Sequence, residues 1–525
     1  MVTSGARNGF AFLAQIHGEK CWPTVDKLSP CEDACPIHQD VPSYVIAISR
    51  GMFKEALEVV RDVNPFPSIC GRVCHHPCED ACNRALIDTP VAIQYLKRFA
   101  AEYEMNSGAA KPARARKTKR SKVAIVGSGP TGLTAAYDLV KAGYGVSVYE
   151  AQPVAGGVLA TAIPEFILPQ EVVQREIDYI RALGVDIRTG VSVGKDVTLE
   201  DLSRSGYKAF LMATGAQRSA KLDIPGSDLK GIYYGLDLLQ DLKLKKGATL
   251  GGKVVVIGGG NVAMDVARAA LRLGVKEVHL ACLESRPNMP AYSWEIEKAE
   301  SEGVKLHPAL APQRIRARDM RHVAGVDFKR VASTQVDKEG RISWTLMEGP
   351  GSDYSMDADA VVIAIGQVPD ASYASEKKVK VTRRGAFEVD PETLATNVPG
   401  VFAAGDSVVV AGSVSQSIAA GHRAAASLQL YLERQGQRAK ASSNSKELFK
   451  LEEDKPLPAF LVRKDRWSIP ALSSKDSVRT FSEVMLGFNQ EMAVEEAKRC
   501  LNCRMCGNCI FDRAQICFAT AARLL

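Results

Sequence analysis

The sequence predicts an α/β protein with two doubly wound dinucleotide-binding domains, the second inserted in the first. An α-helical, cysteine-rich domain precedes them and a cysteine-rich tail follows. Three observations predict this. Short apolar runs alternate with helical periods between about 122 and 431, and two of those runs end in glycine-rich turns that open helices. Cysteines fall in two groups outside that region: seven between Cys21 and Cys82 and five between Cys500 and Cys517, leaving Cys282 alone. At 525 residues the chain is too long for one core and divides into several domains.

Composition sets the class. Hydrophobic residues make up 46% and charged residues 24%, as in ordinary globular proteins and unlike disordered or fibrous ones. No apolar run reaches the roughly 18–20 residues that cross a bilayer, and the first residues lack the charged, apolar and cleavage regions of a signal peptide. A soluble, cytoplasmic chain is expected. The formal charge of +7 would suit nucleic acid, but Lys111 to Lys122 alone carries seven basic residues. That run reads as a solvated linker, and no nucleic-acid partner is expected.

The first 110 residues are expected to be helical, from the apolar spacing of SYVIAISRGMFKEALEVVRDV and VAIQYLKRFAAEY, with cysteines in the turns around the helices. In a cytosolic chain, closely spaced thiolates more often hold metal than form disulfides. After the linker at 111–121, the segment VAIVGSGPTGLTAAYDLVKAGYGVSVYE opens the first nucleotide domain, expected over 122–250 and 366–435. Gly127 permits the tight turn, Gly129 lets a pyrophosphate approach the backbone, and Gly132 lets helix and strand pack closely. Pro130 and Thr131 start the helix. Glu150, followed by Ala151, ends the next strand, where a carboxylate accepts hydrogen bonds from a ribose.

The second unit, VVVIGGGNVAMDVARAALRLGVKEVHLACLE, is expected over 251–365. Gly258, Gly260, Asn261, Val262 and Asp265 form its turn and first helical residues, and a nicotinamide dinucleotide is the natural ligand. Glu284 follows its second strand. A carboxylate there accepts from a free 2′-hydroxyl and repels a 2′-phosphate, so NAD(H) is expected over NADP(H). The alternative is that Glu284 faces solvent and Arg286 binds a phosphate. Downstream, Gly405 and Asp406 precede a helix expected from near Ser413, with Ser415 and Ser417 in its first turn. The carboxylate can hold a flavin's ribityl chain, and the helix N-terminus can stabilise negative charge on the reduced ring. A structural loop and packing helix is the competing reading. A tether is expected over 436–490 and a cysteine-rich iron–sulfur segment over 491–525.

These residues, with CEDACPIHQDVPSYV, NPFPSICGRVCHHPCEDAC, AGGVLATAIPEFILP, NMPA and AIGQVPD, resemble the small (beta) subunit of glutamate synthase and its relatives. Those include the N-terminal half of dihydropyrimidine dehydrogenase and the large subunit of NADH-dependent ferredoxin:NADP oxidoreductase. The likeness runs from about Ser29 to Tyr431, with a separate segment near the C-terminus. It implies an N-terminal helical iron–sulfur domain, then an FAD domain carrying an inserted NAD domain. It adds Gly157, Val158, Leu159, Thr214, Gly215 and Gly366 as cofactor-binding residues. It also implies Cys35, Cys74 and Cys78 as ligands of a flavin-proximal cluster and Cys31 and Cys82 as ligands of an outer one.

The sequence departs from the family in three places. NADP-using relatives have two arginines where Leu283 and Glu284 stand, which again favours NAD(H). Only Cys21 precedes Cys31 where a Cys-x-x-Cys is usual, and the motif EEAKRCLNC that supplies that pair occurs at the other end as Cys500 and Cys503. Those two either join a new C-terminal cluster with Cys506, Cys509 and Cys517 or reach back in space. Lys97 stands where relatives offer Gln or Glu as a fourth ligand, with Gln94 one turn earlier and Cys70 near in sequence. Thiolates suit both zinc and iron clusters. A flavin neighbour favours [4Fe–4S], and two or three clusters are expected. Cys282 reads as a small buried apolar residue.

The expected reaction is hydride exchange between NADH and FAD, followed by one-electron steps through the clusters to or from a partner oxidoreductase subunit or ferredoxin in a hetero-oligomeric complex. No side-chain acid or base is required. A glutamate synthase small subunit is the nearest alternative, and a non-catalytic iron–sulfur scaffold is the alternative of a different class. A disulfide reductase is disfavoured, because no cysteine pair lies between Cys82 and Cys500.

Overall fold

The computed structural model describes residues 27–108, 112–337, 342–371, 373, 379–409, 412–433, 447–448 and 463–503. Two five-stranded parallel sheets form its centre. The first runs in the order Val401–Ala403, Tyr207–Met212, Lys122–Val126, Gly145–Glu150 and Asp186–Thr189. The second runs Lys305–His307, Glu277–Ala281, Lys253–Ile257, Ala360–Ile363 and Ile232–Tyr234. KVAIV and KVVVI bury every residue after the first, as strands covered on both faces must; Val254 and Val256 pack on helices, and Val255 and Ile257 on an antiparallel sheet.

The second domain is inserted in the first, but it begins earlier than 251. Ile232–Tyr234 already pairs with Ala360–Ile363 in the nicotinamide sheet. The chain enters and leaves this domain through a two-residue antiparallel pair, Arg218–Ser219 with Gln367–Val368. The edge strand spans three half-buried residues, too few to show a period in sequence. Also unforeseen is the antiparallel sheet of Leu310–Asp319, His322–Val336, Ile342–Leu346 and Asp353–Asp357, whose bulges break strict alternation.

The N-terminal domain packs helices Val41–Ser49, Phe53–Arg61, Pro67–Val73 and Ile93–Asn106 around Tyr44, Ile48, Leu57 and Leu96. Gly71 allows the closest approach, since a Cβ there would sit 2.6 Å from the Cβ of Arg98.

From residue 463 onward, the stretch expected to be a tether is a packed arm. Trp467, Ile469, Phe488 and the helix Gln490–Ala497 complete the N-terminal core, so these apolar residues are better buried than solvated. Arg499 is 1% exposed. It pairs with Asp88 at 2.8 Å and Glu496 at 2.6 Å, while Glu496 accepts from the main-chain N–H of Ala92 and of Trp467. Removing one partner from such a buried set costs about 3–5 kcal/mol. The arm also touches both nucleotide domains and the helix Ile93–Asn106. Val484 N–H donates to Phe166 O, Arg272 Nε to Thr480 O, and Arg98 Nη1 to Met485 O. Among the described residues no helix is long and apolar enough to cross a membrane.

Candidate functional site

One cavity of about 1430 Å³ lies where the two nucleotide domains, the helical domain and the arm meet. A single small-molecule site occupies roughly 300–1,000 Å³, so this volume suits two adjoining nucleotides.

On the first sheet the strand Lys122–Val126 ends at Gly127, whose φ of 103° is left-handed and whose Cβ would sit 2.4 Å from Ala213 O. Gly132 is required by packing, since a Cβ would lie 2.1 Å from Gly127 O. Gly129 is different. Its φ of −68° and ψ of 178° suit any residue, and nothing in the chain lies within 4 Å of its would-be Cβ. It caps the helix Pro130–Lys141 without a side-chain hydrogen bond, so the helix N-terminus faces the cavity with free N–H groups. Glu150 is buried beside it, accepting from Ser128 N–H at 3.0 Å and Gln152 N–H at 2.8 Å.

The nicotinamide domain repeats the arrangement. Gly258 is tight against Ala364 O, at 2.2 Å from its would-be Cβ. Gly260 has ordinary φ and ψ of −90° and 175°, nothing within 4 Å, and an uncapped helix Asn261–Arg272 behind it. Asn261 Oδ1 accepts from Tyr292 N–H at 3.0 Å. Asp265 faces the cavity, where burial, and next Glu295, push its carboxyl up to about 8, against Arg268 and Lys298.

Of the other expected residues, Pro130, Thr131, Gly157, Val158, Thr214, Gly215, Val262, Glu284, Gly366, Asp406, Ser413 and Ser417 also line the cavity. Six do not. Gly132 and Gly405 serve packing, Gly405 approaching Thr131 Oγ1. Leu159 is in the core, Ser415 is buried, Ala151 is exposed, and Arg286 is tied to Glu300 at 2.6 Å. The helix expected from Ser413 spans Val414–Glu433, and Ser413 Oγ accepts from Gln416 N–H at 3.2 Å.

Sequence reasoning missed an aromatic stack in the cavity wall. His75 stacks on Tyr292 at 5.7 Å, Tyr292 on Trp294 at 4.7 Å, and Trp294 meets His76 at 4.4 Å. It joins the nicotinamide domain to the residues beside Cys74. The only sequence signal was the run after NMPA, which shows two aromatics and no partner.

The thiols separate into two groups. Cys35, Cys70, Cys74 and Cys78 surround Lys97, which is 6% exposed. Burial opposes the Lys97 charge, but the four sulfurs outweigh it and hold the ammonium above its ordinary pKa. Gln94 Nε2 donates to Cys74 O at 3.1 Å and its N–H to Glu79 at 2.9 Å. Cys31, Cys82, Cys500 and Cys503 form the second group around a small cavity. Cys506, Cys509 and Cys517 lie outside the described residues. Cys282 is buried, where burial first and then Glu284 push its thiol up to about 12.

A substitution tests the fit of a dinucleotide to the first site. Gly129→Val meets no steric or backbone obstacle within the chain, so it is expected to fold with unchanged far-ultraviolet dichroism while losing nearly all bound flavin absorbance. Retention of flavin would mean that no pyrophosphate crosses Gly129.

Comparison with known proteins agrees with this geometry. Residues 121–426 match the pyridine nucleotide-disulphide oxidoreductase family, and residues 13–109 match dihydropyrimidine dehydrogenase domain II, 4Fe-4S cluster. The NADP(+)-dependent formate dehydrogenase subunit beta of Moorella thermoacetica is 39% identical over 510 residues, covering 91% of this chain and 71% of that one. The NADPH-Fe(3+) oxidoreductase subunit beta of Geobacter sulfurreducens (strain DL-1 / KN400) is 37% identical over 536 residues, covering 94% and 78%. The glutamate synthase [NADPH] small chain of Azospirillum brasilense is 34% identical over 418 residues, covering 76% and 86%. FprA of Mycobacterium tuberculosis, solved with NADPH, shares the fold at a TM-score of 0.51 and 20% identity, covering 60% of this chain and 85% of that one. The chain thus belongs to the pyridine nucleotide-disulphide oxidoreductase family, in the iron–sulfur branch of glutamate synthase small chains and their relatives, and is an FAD/NAD(P)-type electron-transfer oxidoreductase.

Proposed function

We propose that this chain is the NADH-oxidising or NAD-reducing subunit of a larger complex, exchanging electrons with a partner oxidoreductase subunit or a ferredoxin. The observation that carries this reading is the single cavity on which both glycine fingerprints open, with Cys74 and its neighbours in the wall. Bound there, FAD would exchange hydride with the nicotinamide and pass electrons singly to [4Fe–4S] clusters held by the cysteines. Gly129 and Gly260 leave room for the two pyrophosphates, and the uncapped helix ends behind them donate to phosphate oxygens. Glu150 and Glu284 accept from the riboses. Asp406 and the start of the helix Val414–Glu433 hold the flavin's polar side. Cys35, Cys70, Cys74 and Cys78 hold the flavin-proximal cluster, with Cys70 in place of the Gln or Glu of relatives and Lys97 as a buried cation rather than a ligand.

The preference for NADH rests on Glu284, which lines the cavity, and on Arg286, which is turned to Glu300 and away from it. All three relatives named above carry NADP(+) or NADPH in their names, so the test of the nucleotide belongs on this chain itself. Anaerobic titration of the holoprotein with NADH and with NADPH, followed by flavin absorbance and electron paramagnetic resonance, provides that test. Rapid bleaching and cluster reduction by NADH, with NADPH much slower, is the expected result. If neither nucleotide bleaches the flavin, the chain is a scaffold that uses its clusters structurally; faster reduction by NADPH would reverse the role of Glu284.

A further inference from the structure

We infer that Cys31, Cys82, Cys500 and Cys503 form one iron–sulfur site, so that the outer cluster takes two ligands from each end of the chain. This rests on the electron-transfer reading only for the cluster's use; the site itself stands on geometry. All four thiols line one small cavity whose remaining wall includes the apolar side chains of Val41, Val45 and Ile93. Besides the sulfurs, Asn83 and Arg84 are the polar residues of this lining, an amide and a cation suited to an anionic group.

Hydrogen-bond donors reach all four sulfurs or lie beside them. Asn83 Nδ2 donates to Cys503 Sγ at 3.3 Å, and Ser29 Oγ lies 3.3 Å from Cys31 Sγ. The main-chain N–H groups of Val91 and Arg84 reach Cys82, and that of Asn502 reaches Cys500. Hydrogen bonds to sulfur are how proteins hold and tune iron–sulfur clusters. A zinc ion at about 2.3 Å from each sulfur would draw the four sulfurs to within ~4 Å of one another. Among the described residues, no three His, Cys, Asp or Glu converge to hold a single ion. Four thiols bordering a common space suit a multi-iron cluster better.

The backbone that brings the ends together is independently fixed. Arg84 Nη1 donates to Arg499 O at 3.3 Å, and Arg499 Nη2 bonds Asp88 and the Thr89 carbonyl, clamping the loop after Cys82 to the residue before Cys500. Asn502 takes a left-handed φ of 48° between the two cysteines, which Asn tolerates better than most residues. The pair at 500 and 503 is therefore held beside Cys31 and Cys82 by the fold itself.

The test uses the full chain purified without oxygen. The double variant Cys500→Ser/Cys503→Ser is expected to lose about four iron atoms per chain and the same paramagnetic signal that is lost in Cys31→Ser. Cys506→Ser/Cys509→Ser is expected to keep that signal. If the two losses are different signals, Cys500 and Cys503 serve another cluster and the inference fails. Where a variant does not fold, thiol labelling of the unaltered holoprotein during slow iron removal decides. Cys31, Cys82, Cys500 and Cys503 should become reactive together, and exposure of Cys500 and Cys503 at a rate unrelated to Cys31 and Cys82 would overturn the assignment. Flavin bleaching by nucleotide is read separately, so its failure would remove the electron-transfer reading and leave the metal site standing.

Discussion

Replacing Leu283 and Glu284 together by arginine is expected to move kcat/KM from NADH towards NADPH, changing the ratio of the two by about a hundredfold or more. Glu284 lines the cavity, and its carboxylate lies close enough to Gly259 that a Cβ there would be 2.9 Å from Oε2. It therefore stands beside the fingerprint turn, at the end of the second strand, where an adenosine ribose belongs. A carboxylate there loses a hydrogen bond and gains repulsion when a 2′-phosphate replaces the hydroxyl. Two guanidinium groups reverse both effects, and each charge-assisted hydrogen bond contributes roughly 1.5–3 kcal/mol, or about 10- to 100-fold in affinity. Arg286→Ala should matter little, because that side chain is already paired with Glu300. Steady-state kinetics of the holoprotein with an artificial electron acceptor measure both variants. An unchanged ratio in the double variant would show that the ribose lies elsewhere.

The second large effect concerns Lys97. Lys97→Met is expected to lower the midpoint potential of the flavin-proximal cluster by on the order of 100 mV, while Lys97→Arg, where it folds, keeps it near that of the unaltered chain. Adding an electron makes a cluster more negative, and a nearby ammonium favours that state. A unit charge a few ångströms away, in surroundings of effective dielectric near 20, acts with about 3 kcal/mol, which for one electron is roughly 100 mV. Lys97 is buried, its helix packs against the one bearing Cys70, and all four sulfurs of the group act on it. A redox titration followed by paramagnetic resonance reads the potential directly. No shift in the Met variant would place the cluster away from these four thiols.

The two nucleotide sites were legible in the sequence because their requirements are local. A strand, a turn whose glycines serve a tight bend, a ligand and a packing contact, and the helix that follows are all contiguous. Gly127 and Gly132 are required by contacts within the chain, whereas no contact in the chain requires Gly129. Other features depend on contacts between distant segments. The edge strand Ile232–Tyr234 carries too short a pattern to assign to either sheet, and the antiparallel sheet after His307 is irregular. The aromatic stack pairs His75 and His76 with residues more than two hundred positions away, so neither half looks unusual alone. Arg286 is a charge near a fingerprint in sequence, and only the third dimension shows Glu300 beside it. The grouping of the thiols was open for the same reason: spacing places Cys500 and Cys503 with their sequence neighbours, whereas burial of Phe488, Ala493 and Ala497 carries them to Cys31 and Cys82.

The packing of the C-terminal arm into the first domain has a consequence for how the protein is made. The N-terminal helices are synthesised well before the arm, yet part of their core is supplied by Phe488, Ala493 and Ala497. Until the arm has been made, the faces of Val41–Ser49 and Ile93–Asn106 that receive it lack that cover. The helical domain and the arm therefore complete one core together, and the pair Cys500 and Cys503 reaches Cys31 and Cys82 only once the arm has docked.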